Sequence, residues 1–274
     1  MTDNETNETE CPSNWSHQVD DGCWHRTIRH NDNVLTVFQA APLVWKDERE
    51  GKPMPVEGLD FDKEREILSD SLIDARKVGA KIDLCFETAT TEALVACLET
   101  NRSAALHFSC HGYPEGLCFE DGAGGTHWVD SKVLSEIMAT VGGNLRFVFV
   151  SACCSRAAGE AFTNAGVEHV VCCEKDQKLM DEATIKFSAS FYRTLARGEE
   201  LHTAFERGQL AVKSCAFIAD AEAEMRKFLL LPEHSDHNVS VFHHSSSMRQ
   251  TINDVDSFVK ANLIIPHPPD HFFG

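Results

Sequence analysis

The chain has 274 residues, 42% of them apolar, enough to bury a sizeable core in one large domain. Its 25 Lys and Arg face 43 Asp and Glu for a net charge of −18, with no basic run, which argues against nucleic acid as a partner. No stretch approaches the ~18 apolar residues of a membrane span, and Met1–Glu5 lacks the basic and apolar regions of a secretory signal, so the expectation is a soluble, cytoplasmic chain with no membrane partner.

Residues 1–30 are acidic and rich in Asn and Thr, the composition of a disordered N-terminal segment. Residues 31–245 hold the regular pattern of one domain. Asn33–Val44 is rich in β-formers and reads as the first central strand, followed by a polar loop over Lys46–Pro55 with two prolines. Apolar residues recur at helical spacing from Asp60 to Gly79. Lys81–Glu87 is a second strand and Thr90–Leu98 a second helix. Ala104–Ser109 is the third strand, after which two short β-runs (116–122 and 124–129) around a glycine-rich turn predict a hairpin. A helix over Ser131–Val141, a strand over Leu145–Val150, a helix over Ala157–Ala165 and a strand over Val167–Cys173 follow.

Helices over Asp181–Arg197 and Leu201–Val212 break at Gly198, and a further helix is expected over Ala219–Leu231. Asn238–Phe242 is a short apolar run. Residues 246–274 read as a C-terminal helix and a proline-rich linker. The alternation of strands and helices predicts an α/β fold: a doubly wound, mainly parallel sheet flanked by helices on both faces, with a β-hairpin insertion after the third strand.

Eleven cysteines include two adjacent pairs but no Cys-x-x-Cys, so no metal site is expected, and most sit inside apolar runs as small hydrophobes. Two strand ends stand apart. The third strand delivers Ser109-Cys110-His111-Gly112, and the fourth delivers Ser151-Ala152-Cys153-Cys154-Ser155 before a helix. If the two strands are neighbours, an imidazole and a thiol meet over the sheet edge, as a cysteine nucleophile requires. A side chain at Gly112 would crowd a peptide approaching the same site. The plainer alternative is an ordinary turn and a packed thiol.

His107–Gly112 (HFSCHG), then a hairpin, a helix and Phe147–Ser155 (FVFVSACCS), resemble the caspase-like clan of cysteine peptidases, and within it the CHAT domain, which is related to separase. The resemblance continues through Ala161–Thr184 and Phe191–Phe205 and covers about residues 33–245. It implies a caspase-like fold and a Cys-His dyad of His111 and Cys153, with the backbone N–H groups of Gly112 and Cys153 forming the oxyanion hole and no cofactor required. Cys154 stands where the family more often has a polar or acidic residue. The terminal Pro-Pro-Asp-His-Phe-Phe-Gly resembles the entry to a STAND-type NTPase, which implies a regulatory NTPase or repeat domain as a partner within a longer parent protein.

The expectation from these residues is a cysteine-type endopeptidase acting on protein or peptide substrates in signalling, defence or programmed cell death. The alternative is a catalytically silent adaptor module of a STAND-type receptor. A third reading, a thiol redox sensor at Cys153-Cys154, is disfavoured because adjacent cysteines form strained disulfides. Glu174 and Asp176 follow the fifth strand and could shape a substrate pocket preferring Lys or Arg, or be solvated surface. His107 reads as a core or subsite residue. His127 and Trp128 could line the cleft or merely pack. The histidines at 234, 237, 243 and 244 lack partners at metal-ligand spacing.

Overall fold

A computed structural model describes residues 33–46, 52–77, 82–101, 103–141, 145–175 and 177–242. The expected N-terminal segment, the helix and linker over 246–274, and Asp176 lie outside the described residues.

Six strands form the main sheet: β1 (Val34–Gln39), β4 (Asp83–Thr88), β5 (Ala105–Ser109), β9 (Phe147–Ser151), β10 (His169–Cys173) and β11 (Phe228–Leu231). Their spatial order is β11-β10-β9-β5-β1-β4, and every pairing is parallel except β10 with β11. The chain therefore winds one way from β1 to β4 and the other way from β5 onward, the order of a doubly wound sheet with a switch point beside β1 and β5. β5 and β9 are direct neighbours in register, Ser109 opposite Ser151, so the residues that follow each emerge side by side at the carboxyl edge.

The inner strands are buried on both faces, which is why they read as continuous apolar runs. On one face Leu35, Val37, Ala105, Phe147, Phe149 and Val171 pack under α1 (Phe61–Lys77), α5 (Asp181–Leu195) and α6 (Leu201–Lys213). On the other, Phe38, Leu106, Phe108, Val148, Val150 and Val170 pack under α2 (Thr91–Thr100), α3 (Ser131–Val141) and α4 (Arg156–Asn164). Gly208 lets α6 approach α5 closely, since a Cβ there would meet the Phe187 ring at 2.9 Å.

The expected insertion after the third strand is present and one strand larger: β6 (Gly112–Tyr113), β7 (Gly116–Glu120) and β8 (Thr126–Asp130) form a small antiparallel sheet that starts immediately after His111. The first strand ends at Gln39, ahead of Pro42, and not at Val44. Part of the expected loop instead forms an antiparallel pair, β2 (Val44–Lys46) with β3 (Pro53–Pro55). The expected helix over Ala219–Leu231 is corrected in its second half. Only Ala221–Arg226 is helical (α7), and Phe228–Leu231 is β11. Four successive apolar residues ahead of Pro232 suit either state locally, and pairing with the backbone of β10 decides for the strand.

Candidate active site

Cys153 sits in the turn between β9 and α4, and several contacts pin that turn. Ser155, fully buried, donates its hydroxyl to the Ala152 carbonyl at 2.8 Å and accepts the Cys173 N–H at 2.9 Å, tying the turn to β10. Cys154 takes a left-handed conformation at φ 53°, unusual for a residue with a side chain. Its N–H donates to the Gln177 carbonyl at 2.9 Å and its thiol points to the same oxygen at 3.4 Å, so the second cysteine of the pair is turned toward the segment after β10. That segment also reaches Cys153: the Leu179 N–H donates to Sγ at 3.3 Å.

His111 sits between β5 and β6. Its Nε2 lies 2.8 Å from the Glu57 carbonyl oxygen. A carbonyl only accepts, so Nε2 carries the hydrogen and, in the neutral ring, the lone pair is on Nδ1. Gly112 lies directly against the turn that carries Cys153: a Cβ at this position would fall 1.9 Å from the Cys153 carbonyl oxygen. The glycine is thus required by contact within the fold, whereas the sequence suggested only room for an approaching peptide.

His111 and Cys153 line one cavity of about 110 Å³, well above the ~10–15 Å³ that a single water needs. Its walls come from the start of α1 and the residues before it, from the ends of β5 and β9, and from Leu179 and the first two turns of α5. Three carboxylates, Asp60, Glu64 and Asp181, are among the lining residues. Glu64 is the most enclosed of them. Its Oε1 lies 3.0 Å from His107 Nε2, and its Oε2 accepts from Gln39 Nε2 at 2.9 Å. Burial pushes its pKa up, but the charge and hydrogen bond of His107, with hydrogen bonds from Gln39 and Ser109, outweigh burial and hold it below the usual carboxylate value. His107 Nδ1 lies 2.7 Å from the Tyr192 hydroxyl. The two ring nitrogens of His107 thus bridge the Tyr192 hydroxyl and the Glu64 carboxylate.

Glu174 lies away from the cavity lining. Both its oxygens pair with Arg156 Nη1, at 3.2 and 3.3 Å, and the same guanidinium also bonds Glu160 and Glu233. His107 is buried beneath the cavity as a core residue that supports Glu64. Trp128 is half-exposed on β8 and stacks edge-on with Tyr113, and His127 is exposed. Among the described residues no cluster of three or more His, Cys, Asp or Glu could hold a metal, and no helix is long and apolar enough to cross a membrane.

Sequence reading missed the Glu57 carbonyl, the Leu179 N–H and Glu64. The first two are backbone groups that carry no residue signature. Glu64 looked like one charge among several on an amphipathic helix.

A thiol and an imidazole presented by adjacent parallel strands of a doubly wound sheet define a protein of caspase-like architecture. The CHAT domain model matches residues 60–240, about two-thirds of the sequence, and the chain belongs to the CHAT domain family. Among solved structures, one titled "Structure of Protease" shares the fold with TM-score 0.52 at 10% identity, over 77% of this chain and 49% of its own. The Arg-specific cysteine proteinase gingipain R aligns at TM-score 0.49 and 12% identity, over 77% of this chain and 47% of its own. The complex of Porphyromonas gingivalis RgpB pro- and mature domains gives TM-score 0.49 and 13% identity, over 76% and 48%. This chain thus spans about half the length of the solved structures it matches. No curated protein matches the sequence significantly.

Proposed function

We propose that the protein is a cysteine endopeptidase in which Cys153 and His111 form the catalytic dyad. The observation that carries this reading is that the two residues line one cavity from the ends of adjacent strands, with an N–H donor on the sulfur and a carbonyl fixing the ring. His111 Nδ1 takes the thiol proton as Cys153 Sγ attacks the scissile carbonyl carbon, and the backbone N–H groups of Gly112 and Cys153 receive the developing oxyanion. Nδ1 then returns the proton to the leaving amine, and an acyl-enzyme thioester remains. Water, deprotonated by the same nitrogen, hydrolyses it and frees the thiol. The chemistry needs no metal or organic cofactor.

The setting we propose for this activity is cytoplasmic signalling, defence or cell death, with a regulatory NTPase or repeat domain supplied by a longer parent protein. The support is the resemblance of the chain's last residues to an NTPase entry. The activity is tested with a peptide library read by mass spectrometry. Wild-type protein and Cys154→Ala should give the same cleavages, while Cys153→Ala and His111→Ala give none. Cleavage by a folded Cys153→Ala protein would overturn the assignment.

A further inference from the structure

The cavity that His111 and Cys153 share holds more than the dyad, and its other groups select a ligand chemistry. Glu64, Asp60 and Asp181 line it, while no Lys or Arg among the described residues does. Asp60 is partly committed, its Oδ1 accepting the Lys63 N–H at 3.0 Å at the start of α1. Asp181 is exposed at the first position of α5. Glu64 is different, because its carboxylate is largely enclosed and is hydrogen-bonded by His107, Gln39 and Ser109. A carboxylate has about four lone-pair positions, and three donors leave capacity on the side that lines the cavity.

A second observation points the same way. Ser188, on α5, is only 3% exposed, and its hydroxyl has no hydrogen-bond partner among the described residues, yet it lines this cavity. A buried hydroxyl without a partner is costly unless a ligand supplies one. Ser109, Ser151 and Thr184 add hydroxyl-bearing residues to the lining, and Leu59, Phe61, Ile67, Leu179 and Ile185 give it apolar walls. Such a site matches an aliphatic stem tipped with a cationic N–H donor: the stem packs on the apolar walls while the head meets carboxylate and hydroxyl.

We infer that this cavity is the primary specificity pocket and that it takes the side chain of lysine or arginine on the acyl side of the scissile bond, held by Glu64 and Ser188 with Asp181 at the mouth. The inference rests on the peptidase reading above. It also locates a basic preference on α1 and α5, where the sequence offered Glu174 and Asp176 as candidates beside the reading of solvated surface. A neutral side chain would bring no cation to a cavity lined by three carboxylates, and an acidic one would face like charge, so both are disfavoured.

The test uses the full chain and peptidyl acyloxymethyl ketones that differ only at the residue next to the warhead, with modification of Cys153 followed by mass spectrometry. Arginine and lysine probes should react at least tenfold faster than the neutral isosteres citrulline and norleucine. Glu64→Gln should lower the arginine-to-citrulline ratio about tenfold. If that protein does not fold, Asp181→Asn, exposed at a helix start, should lower it several-fold. Equal rates for charged and neutral probes, or ratios unchanged by substitution, would overturn the pocket assignment. Modification of Cys153 by leucine or aspartate probes and not by arginine or lysine would sink the pocket alone and leave the peptidase standing. No modification by any probe would remove both.

Discussion

Gly112 and Cys153 are in backbone contact, close enough that a methyl group at residue 112 would sit 1.9 Å from the Cys153 carbonyl oxygen. No side chain can bend away from such a clash, because both atoms are fixed by the main chain. Gly112→Ala should therefore push the two motifs apart. We expect a loss of peptidase activity of about a hundredfold or more, since displacements on the order of 1 Å cost that much. A lowered melting temperature should accompany it. An alanine variant with wild-type activity and stability would show that this contact does not set the site.

Ser155 should matter more to stability than its small size suggests. Removing its hydroxyl leaves the buried Cys173 N–H without its acceptor. Ser155→Ala should destabilise the protein by about 1–3 kcal/mol in urea unfolding, the cost of an unsatisfied buried donor. A change below half that range would mean another group takes over the bond.

The thiols should divide sharply in reactivity. Burial pushes Cys118 up to about 11 and Cys173 up to about 12, and drives Cys110 and Cys172 higher still. At pH 7.5 a small alkylating reagent should modify Cys153 in the folded protein and leave these four untouched until denaturant is added. Peptide mapping after timed alkylation checks this. Early modification of Cys173 would contradict the enclosed turn around Ser155.

Much of this architecture was legible in the sequence because its information is local. The continuous apolar runs at Ala105–Ser109 and Phe147–Ser151 marked strands buried on both faces, and the small residues after them marked the turns that carry His111 and Cys153. What the sequence could not convey arises from tertiary pairing. Phe228–Leu231 became a strand because β10 offered an edge, and Glu64 became a pocket residue because His107 and Gln39 lie behind it. Glu174, close to the site in sequence, is drawn off by Arg156. Its engagement depends on Glu160 and Glu233 as well, partners that no local pattern connects.

His169 should make the fold acid-sensitive. It is buried, its Nδ1 lies 2.9 Å from His237 Nδ1, and its Nε2 has no hydrogen-bond partner among the described residues. Burial, and then His237, push its pKa below the ordinary value, against weaker opposition from Glu168 and Asp236. Protonation therefore favours the unfolded chain. Its contribution to stability is full above the unfolded value of roughly 6.5 and declines as pH falls from there toward the lower folded value, by at most about 1.4 kcal/mol per pH unit for one proton. His169→Gln should flatten the dependence of melting temperature on pH between about 6.5 and 5. An unchanged slope would place the acid sensitivity elsewhere.

In the proposed dyad one thiol, activated by one imidazole, does the chemistry. The direct measurement is the site of covalent trapping by a peptidyl acyloxymethyl ketone in wild type, His111→Ala and Cys154→Ala. A single adduct on Cys153 is expected in wild type and in Cys154→Ala, forming about a thousandfold or more slowly without His111. An adduct on Cys154, or trapping of Cys153 at an undiminished rate without His111, would contradict it.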